Sequence, residues 1–196
     1  MFLYHTTDID RVRDILRDGA LKSSALTGLA EEGQGAGLYD SNEFVYMSAS
    51  ESCFDPDVRW CSATIYIHAA ALRGRAFHVS TGQTPRPDHP FERTEARKIT
   101  RPAMPLYSRS YPSSFRSADR DDVLRELCRQ SAYRSNLLRP CITQMFNQVA
   151  VKNRLDIRGR VAGISIQTGR GRFEFGDIVA FLREHHGDIP VYLCGR

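Results

Sequence analysis

The sequence predicts a mixed α/β domain of the α+β type, in which one β-sheet is flanked by helices. Short runs of β-branched and aromatic residues occur near both ends of the chain, beginning with FLYHT at 2–6 and ending with IPVYLC at 189–194. Segments with helical spacing are bracketed by these early and late strands, so a doubly wound parallel sheet is not expected. With 196 residues, the chain is expected to form one domain over 1–196.

The N-terminal part is predicted to contain a strand, a helix and a connection. After the strand at 2–6, Thr7 stands three residues before Asp10 as a variant of the helix capping box, and Gly19 is a typical stop. Residues 23–42 are rich in Gly, Ala and Ser and lack the GK[ST] ending of a P-loop, so they predict a connection. The apolar positions at helical spacing are Ile9, Val12, Ile15 and Leu16.

The middle of the chain is predicted to hold strands and a long irregular stretch. Strands are expected at 44–48 (FVYMS), 63–67 (ATIYI) and 76–79 (AFHV). Residues 81–118 hold most of the prolines and show little periodicity, so they predict a long loop or insertion.

The C-terminal part is predicted to contain helices and the last strands. A helix begins at Asp119, with Val123, Leu124, Leu127 and Cys128 on its apolar face. A second helix is expected from Pro140 to about Phe146. The segments that follow are strands at 148–152 (QVAVK) and 161–167 (VAGISIQ), a helix at 174–186 and a terminal strand at 189–194.

Composition excludes several classes of protein. No apolar run approaches the ~20 residues that span a bilayer, and the N-terminus lacks the features of a signal peptide, so a cytoplasmic protein is expected. The five cysteines are scattered, form no CxxC pair and predict no metal site; most are expected to be small buried residues in a reducing compartment. No motif of a zinc hydrolase or of a Ser/His/Asp enzyme is present.

One segment concentrates basic and aromatic residues. Residues 101–118 read RPAMPLYSRSYPSSFRSA and contain three arginines, three aromatics and no acidic residue, whereas the net charge of the whole chain is only +4. Such a segment can neutralise phosphate and stack on unpaired bases. It can equally be a Pro/Ser-rich surface loop whose aromatics anchor it to the domain. The residues in question are Arg109, Tyr111, Phe115 and Arg116.

Three motifs together resemble a known family. The opening YHTTDIDRVRDILRDGAL resembles the first motif of the DarT family of DNA ADP-ribosyltransferases, where a strand ending in Tyr-His-x-Thr leads into a helix ending in Ile-Leu-x-x-Gly-x-Leu. EFVYMSAS resembles the family's strand with an aromatic position, and FNQVAVKNRLDIRGRVAGISI resembles its glutamate strand and the strand after it. Related openings occur in RNA 2′-phosphotransferases and in the diphtheria-toxin and PARP branch. The resemblance covers most of the chain outside the middle loop and implies an ADP-ribosyltransferase-like split, mixed sheet.

The resemblance implies that NAD is the substrate, that no metal is needed, and which residues form the site. His5 would bond the nicotinamide-side ribose, with Thr7 helping to position it. Tyr46 would lie against the nicotinamide ring, and Ser48 on the same strand would also be a residue that binds NAD. Gln148 occupies the position of the catalytic glutamate, so Gln148, His5 and Tyr46 are the expected catalytic positions. Histidines on a first strand and tyrosines on a β-strand are also often core residues.

These residue types suit the chemistry of glycosidic bond cleavage. Breaking the nicotinamide–ribose bond produces an oxocarbenium-like ribose, as glycoside hydrolysis does. A nearby carboxylate stabilises that charge, holds a ribose hydroxyl and can take a proton from the acceptor. A neutral imidazole acting as a donor and an aromatic platform orient the dinucleotide.

The sequence departs from the family at its catalytic carboxylate. Gln148 can hydrogen-bond a hydroxyl but cannot neutralise a cation. Three explanations remain open: another carboxylate acts, the protein is weakly active, or a Glu→Gln replacement silences a toxic enzyme. The candidate substitutes are Glu43, Glu51 and Glu174.

A second departure concerns the cations. Residues 23–45 contain no arginine or lysine, although the family uses an arginine there. Pyrophosphate binding would then fall to Arg59 or to an arginine of 101–116. Arg11 stands near the position of the family's helix asparagine.

The predicted function is transfer of ADP-ribose from NAD to a base in single-stranded DNA or another nucleic acid, and an antitoxin protein is the further partner that the resemblance raises. One alternative is an ADP-ribosyltransferase for a protein or small-molecule acceptor. Another is an inactive module that binds NAD or nucleic acid. RNA 2′-phosphotransfer is disfavoured, because few basic residues accompany His5 in the early motifs.

Overall fold

The structure is a computed structural model that describes residues 1–28, 43–53, 62–85, 108–138, 142–167 and 175–194. The chain forms a mixed α+β fold with a large sheet and helices. The strands are β1 (Phe2–Thr7), β2 (Ala20–Lys22), β3 (Phe44–Ser50), β4 (Ala63–His68), β5 (Phe77–Pro85), β6 (Ser108–Tyr111), β7 (Ile142–Lys152), β8 (Arg154–Asp156), β9 (Val161–Gln167) and β10 (Val191–Cys194). The helices are α1 (Ile9–Asp18), α2 (Ser24–Thr27), a 3-10 helix (Ala69–Leu72), α3 (Ser117–Leu138) and α4 (Phe175–His185).

Eight strands form one mixed sheet in the order β10-β9-β4-β1-β3-β7-β5-β6, and β2 pairs with β8 in a two-stranded sheet. Neighbours in the large sheet are antiparallel, except that β9 and β10 run parallel. The predicted fold class, a mixed sheet flanked by helices rather than a doubly wound parallel sheet, is therefore confirmed.

The longer helices cover one face of the sheet. One apolar cluster joins Leu124 and Leu127 of α3 to Ile65, and a second joins α1 and α4 to Ile164. Ile65 and Ile164 are directly paired across β4 and β9, so their side chains point to the same face. Both clusters, and the three helices that complete them, therefore lie on this face, which we call the helical face.

The sheet opens between β1 and β3. Pairing between these strands ends at Tyr4 opposite Ser48. Beyond that point β1 continues along β4 as far as Thr7, and β3 continues along β7 back to Phe44. Two central strands therefore diverge while each keeps its outer neighbour, which leaves ladder groups on their facing edges to be satisfied by other means. We call this place the opening.

The start of α1 differs from the prediction, whereas its end agrees. Thr7 belongs to β1, and the residue before the helix is Asp8, whose side chain makes no capping bond. Instead the N–H of Ile9 donates to Ser62 Oγ at 2.8 Å. Gly19 has φ 61° and its N–H donates to the carbonyls at the helix end, which a left-handed residue achieves most easily when it has no Cβ.

Two other predictions need correction. The helix expected from Pro140 to Phe146 is wrong, because β7 begins at Ile142 and pairs with β5 from there to Ala150. The stretch 81–118 is not irregular throughout: β5 runs to Pro85, β6 lies at Ser108–Tyr111, and α3 begins at Ser117. Residues 86–107 lie outside the described part. The small strands β2 and β8 were not predicted.

Two remaining observations concern membranes and cysteines. None of the helices that the structure describes is long and apolar enough to cross a membrane. The expectation of buried cysteines does not hold for Cys194, which is exposed, while Cys53 and Cys128 are half-buried. Cys61 and Cys141 lie outside the described side chains.

Candidate functional site

His5 occupies the opening of the sheet. It is paired with Ile65 on β4, but β3 no longer pairs with β1 at this point. The His5 ring replaces the missing ladder contact, with Nδ1 lying 3.0 Å from the carbonyl oxygen of Tyr46. The structure therefore brings together two of the predicted site residues, 41 positions apart in the chain.

The contact with Tyr46 shows that Nδ1 of the His5 ring carries a proton. A carbonyl oxygen can only accept, so Nδ1 carries the proton and donates it. Burial lowers the pKa of His5; the hydrogen bond to Tyr46 opposes this effect, and the positive charge of Arg11 adds to it. The imidazole is therefore neutral at neutral pH, with its lone pair on Nε2. His5 is an acceptor at Nε2, which corrects the expectation that the ring offers a donor to the ligand.

We expect acid to destabilise the fold through His5. Because the pKa of His5 lies below its ordinary value of 6.5, the unfolded chain takes up a proton there before the folded protein does. The contribution of His5 to the free energy of unfolding is therefore complete above about pH 6.5 and is lost as the pH falls toward the folded-state pKa. Urea midpoints recorded between about pH 8 and pH 5 should decline less steeply for His5→Gln than for the unchanged chain.

The matched control for this titration is His185→Gln, on the exposed end of α4. It shows how far the loss of a histidine outside the opening alters the slope. Burial also lowers the pKa of His78, which is present in all three proteins and adds the same acid sensitivity to each. Identical slopes for His5→Gln and the control would contradict a neutral, buried His5.

Tyr46 lies on the face of the sheet opposite the helices. Its neighbours Val45 and Met47 belong to the core of the helical face. Alternation along β3 therefore turns Tyr46, which is half-buried, to the other side, together with Ser48. Of the two interpretations that the sequence left open, this geometry favours a surface ring next to the opening over a core residue.

Gln148 lies on the same face as Tyr46. Tyr46 pairs with Ala150 of β7, and Gln148 is two residues before Ala150 on that strand. Gln148 is only 9% exposed, which is unusually buried for a polar side chain. Its neighbour Asn147 holds β7 to β3 by accepting the N–H of Ala49.

The structure does not place all predicted residues on one face. His5 and Thr7 share the helical face with Leu3, whereas Tyr46 and Gln148 lie on the opposite face. Thr7 is buried, at 9% exposed. The opening is where the two sets meet, because β1 and β3 separate there. A ligand bound there could reach both sets without crossing a closed sheet.

A histidine that the sequence did not single out extends this polar face. His78 pairs with Ala150 and therefore lies in one row with Tyr46 across three strands. Its Nδ1 is 2.7 Å from Ser110 Oγ on β6. The signal was available in AFHV, since His78 alternates with two core residues, Phe77 and Val79.

The aromatic residues of the basic segment pack inward. The Tyr111 ring stacks on Phe77 with centroids 5.0 Å apart, and Phe115 lies 4.7 Å from Tyr111. Both rings border the core of the helical face. For these two residues the geometry favours the anchoring interpretation over stacking on bases. Arg109 and Arg116 are exposed.

The candidate substitutes for the missing carboxylate are not brought to His5 in the part that the structure describes. Glu43 forms an ion pair with Lys152 at 3.2 Å on the surface, and Glu51 is exposed just after β3. Glu174 and Arg59 lie outside the described residues. Surface pairs of this kind contribute little energy and are ordinary features of a solvated sheet edge.

Within the described ranges, no three His, Cys, Asp or Glu side chains converge as they would around a metal ion. No protein-family model, curated protein or solved structure matches the chain.

Proposed function

We propose that the protein is an NAD-dependent ADP-ribosyltransferase whose reaction centre is the opening between β1 and β3. The observation that carries this proposal is the hydrogen bond from His5 Nδ1 to the Tyr46 carbonyl at the place where the central strands diverge. The resemblance of three sequence motifs to the DarT family supplies the reaction class, and the opening brings His5 next to Tyr46.

In the proposed reaction, the bond between the nicotinamide nitrogen and ribose C1″ breaks, and its electron pair leaves with nicotinamide. The acceptor atom then bonds to C1″ and gives up its proton. Nε2 of His5 accepts a hydrogen bond from a ribose hydroxyl and so fixes the orientation of the sugar. The Tyr46 ring offers a flat surface for the nicotinamide.

Gln148 limits the rate in this scheme. Its amide can bind a ribose hydroxyl from β7, but it carries no negative charge to stabilise the developing cation. We therefore expect binding of NAD to be preserved and turnover to be slow. That expectation separates a weak or silenced transferase from a protein that has lost the site.

We propose a nucleic-acid base as the acceptor, as the resemblance implies. Exposed Arg109 and Arg116 support it as contacts for a phosphate backbone. Neither Arg109 nor Arg116 is part of the reaction centre itself. A protein or small-molecule acceptor is the competing proposal.

Product analysis tests the acceptor. The chain is incubated with isotope-labelled NAD and either single-stranded oligonucleotides of mixed sequence or a mixture of folded proteins, and products are identified by mass spectrometry. The proposal predicts label on a base of the oligonucleotide. Label on protein side chains alone would move the acceptor to the competing class, and binding of NAD without any labelled product would indicate a non-catalytic module.

A further inference from the structure

A buried arginine with two unsatisfied donor atoms lies near the beginning of α3. Arg120 is only 7% exposed, although it carries a permanent positive charge. Its Nε and Nη1 atoms are buried and have no hydrogen-bond partner among the residues that the structure describes. Exposed arginines elsewhere on this helix are paired: Arg125 contacts Asp122 at 2.7 Å, and Arg129 contacts Glu126 at 2.7 Å.

The position of Arg120 on the helix explains its burial. It stands one turn before Leu124 and therefore on the side of α3 that faces the core. Helical side chains lean toward the N-terminus of their helix, so the guanidinium is directed to the first turn of α3. That end carries the positive pole of the helix dipole, where a cation is disfavoured and an anion is favoured.

One carboxylate lies nearby and does not satisfy the guanidinium. Asp121 Oδ1 is 3.5 Å from Arg120 Nε, which is too long for a charged hydrogen bond, and Oδ1 is itself buried without a hydrogen bond. A guanidinium has five N–H donors in a planar fork, more than a single carboxylate oxygen can accept. Arg120 therefore has donor capacity that the described residues leave unused.

The electrostatics of this arrangement favour an additional anion that can accept from the unsatisfied donors. A buried charge without hydrogen bonds is strongly unfavourable, and arginine cannot escape the penalty by losing its proton. The helix pole adds to the penalty instead of relieving it. Both effects change sign when a phosphate group occupies the position, because a phosphate accepts bidentate bonds from arginine and is favoured by the positive pole of the helix.

We propose that Arg120 and the first turn of α3 form a phosphate-binding site, and that its ligand is a backbone phosphodiester of the acceptor strand. Exposed Arg109 on β6 and Arg116 just before α3 lie at the same junction of strand and helix, which also carries exposed Asp119 and Asp122. The choice of an acceptor strand rests on the proposed function, whereas the phosphate site itself does not.

Arg120→Met tests the site, and Arg125→Met on the exposed side of the same helix is the matched control. Fluorescence anisotropy with a short labelled single-stranded oligonucleotide, recorded over a series of salt concentrations, should show roughly tenfold weaker binding for Arg120→Met. The slope of log affinity against log salt should also become shallower by about one unit, because one phosphate contact is lost. The control should bind the oligonucleotide within about twofold of the unchanged chain, because an exposed surface charge contributes little.

Thermal unfolding distinguishes a binding site from a structural residue. The melting temperature of Arg120→Met alone does not separate the two roles, because the variant also leaves the Asp121 carboxylate, 3.5 Å from Arg120 Nε, without its counter-charge. Inorganic phosphate or pyrophosphate should raise the melting temperature of the unchanged chain but not that of the variant, since a ligand stabilises only the form that binds it. Arg120→Lys keeps the charge but loses the planar guanidinium. Its rise in melting temperature with phosphate should lie between that of the unchanged chain and that of Arg120→Met.

Two results would overturn the inference or part of it, and a third would separate it from the proposed reaction. A lower melting temperature for Arg120→Met and Arg120→Lys with unchanged oligonucleotide binding would make Arg120 a structural residue. Weaker binding of NAD with unchanged oligonucleotide binding would assign the phosphate to the dinucleotide and overturn the acceptor strand. Conversely, loss of oligonucleotide binding in a protein that never releases nicotinamide would support this site while refuting the proposed reaction.

Discussion

Replacing Gln148 with glutamate should raise the rate of nicotinamide release from NAD by about 10²–10³-fold. The strand position is already in place: Gln148 is buried on β7, two residues from the partner of Tyr46. Glutamate has the same length and shape, so it adds a negative charge with little rearrangement. That charge faces the cation that forms on the ribose, which the amide cannot stabilise.

The measurement is nicotinamide release with and without a single-stranded oligonucleotide. Gln167→Glu is the matched control, because it makes the same chemical change on β9, two strands beyond β1 from the opening. Only Gln148→Glu should gain activity, and the oligonucleotide should increase it further. An equal gain in both variants would mean a non-specific effect of charge. High activity in the unchanged chain would mean that the catalytic group lies elsewhere.

His5→Asn, introduced into the Gln148→Glu protein, should lower kcat/KM for NAD by about 10²-fold. The asparagine amide can still donate to the Tyr46 carbonyl as Nδ1 does, but it has no atom at the position of Nε2. The variant therefore removes the proposed contact with the ribose hydroxyl but keeps a hydrogen bond between β1 and β3. Its melting temperature should stay close to that of the parent.

His5→Leu provides the structural comparison. It leaves the Tyr46 carbonyl without a donor and should lower the free energy of unfolding by about 1–3 kcal/mol in addition to lowering activity. His78→Asn, which changes the other buried histidine of the sheet, should leave kcat/KM within a few-fold. If His5→Asn retained the activity of its parent, His5 would act only by holding β1 and β3 together.

Local patterns predicted the parts of the fold whose signals are local. The apolar spacing of Val12 and Leu16 and the stop at Gly19 gave α1, because helix formation depends on neighbours in the chain. The first half of β7 was misread because its strand form depends on pairing with β5, about 60 positions earlier. The strand β6 has only four residues, SRSY, and no apolar periodicity to indicate it.

The candidate site was predicted in its residues but not in its geometry. A motif could single out His5 and Tyr46 separately, yet their contact exists because two strands diverge, which is a property of the sheet. The role of Nε2 as an acceptor follows from that contact and could not be read from residue types. Likewise, helical spacing places Arg120 on the core side of α3, but only the structure shows its unused donors.

The most direct test of the account is titration of the unchanged chain with NAD, monitored by ¹⁵N signals of the histidine rings. We expect binding without rapid consumption of NAD, because in the proposed reaction Gln148 slows turnover without removing the site. The His5 ring should show a protonated Nδ1 before NAD is added and a saturable shift at Nε2 afterwards, while exposed His185 stays unchanged. Unchanged His5 signals up to millimolar NAD in a folded protein would contradict the assignment of the opening as an NAD site.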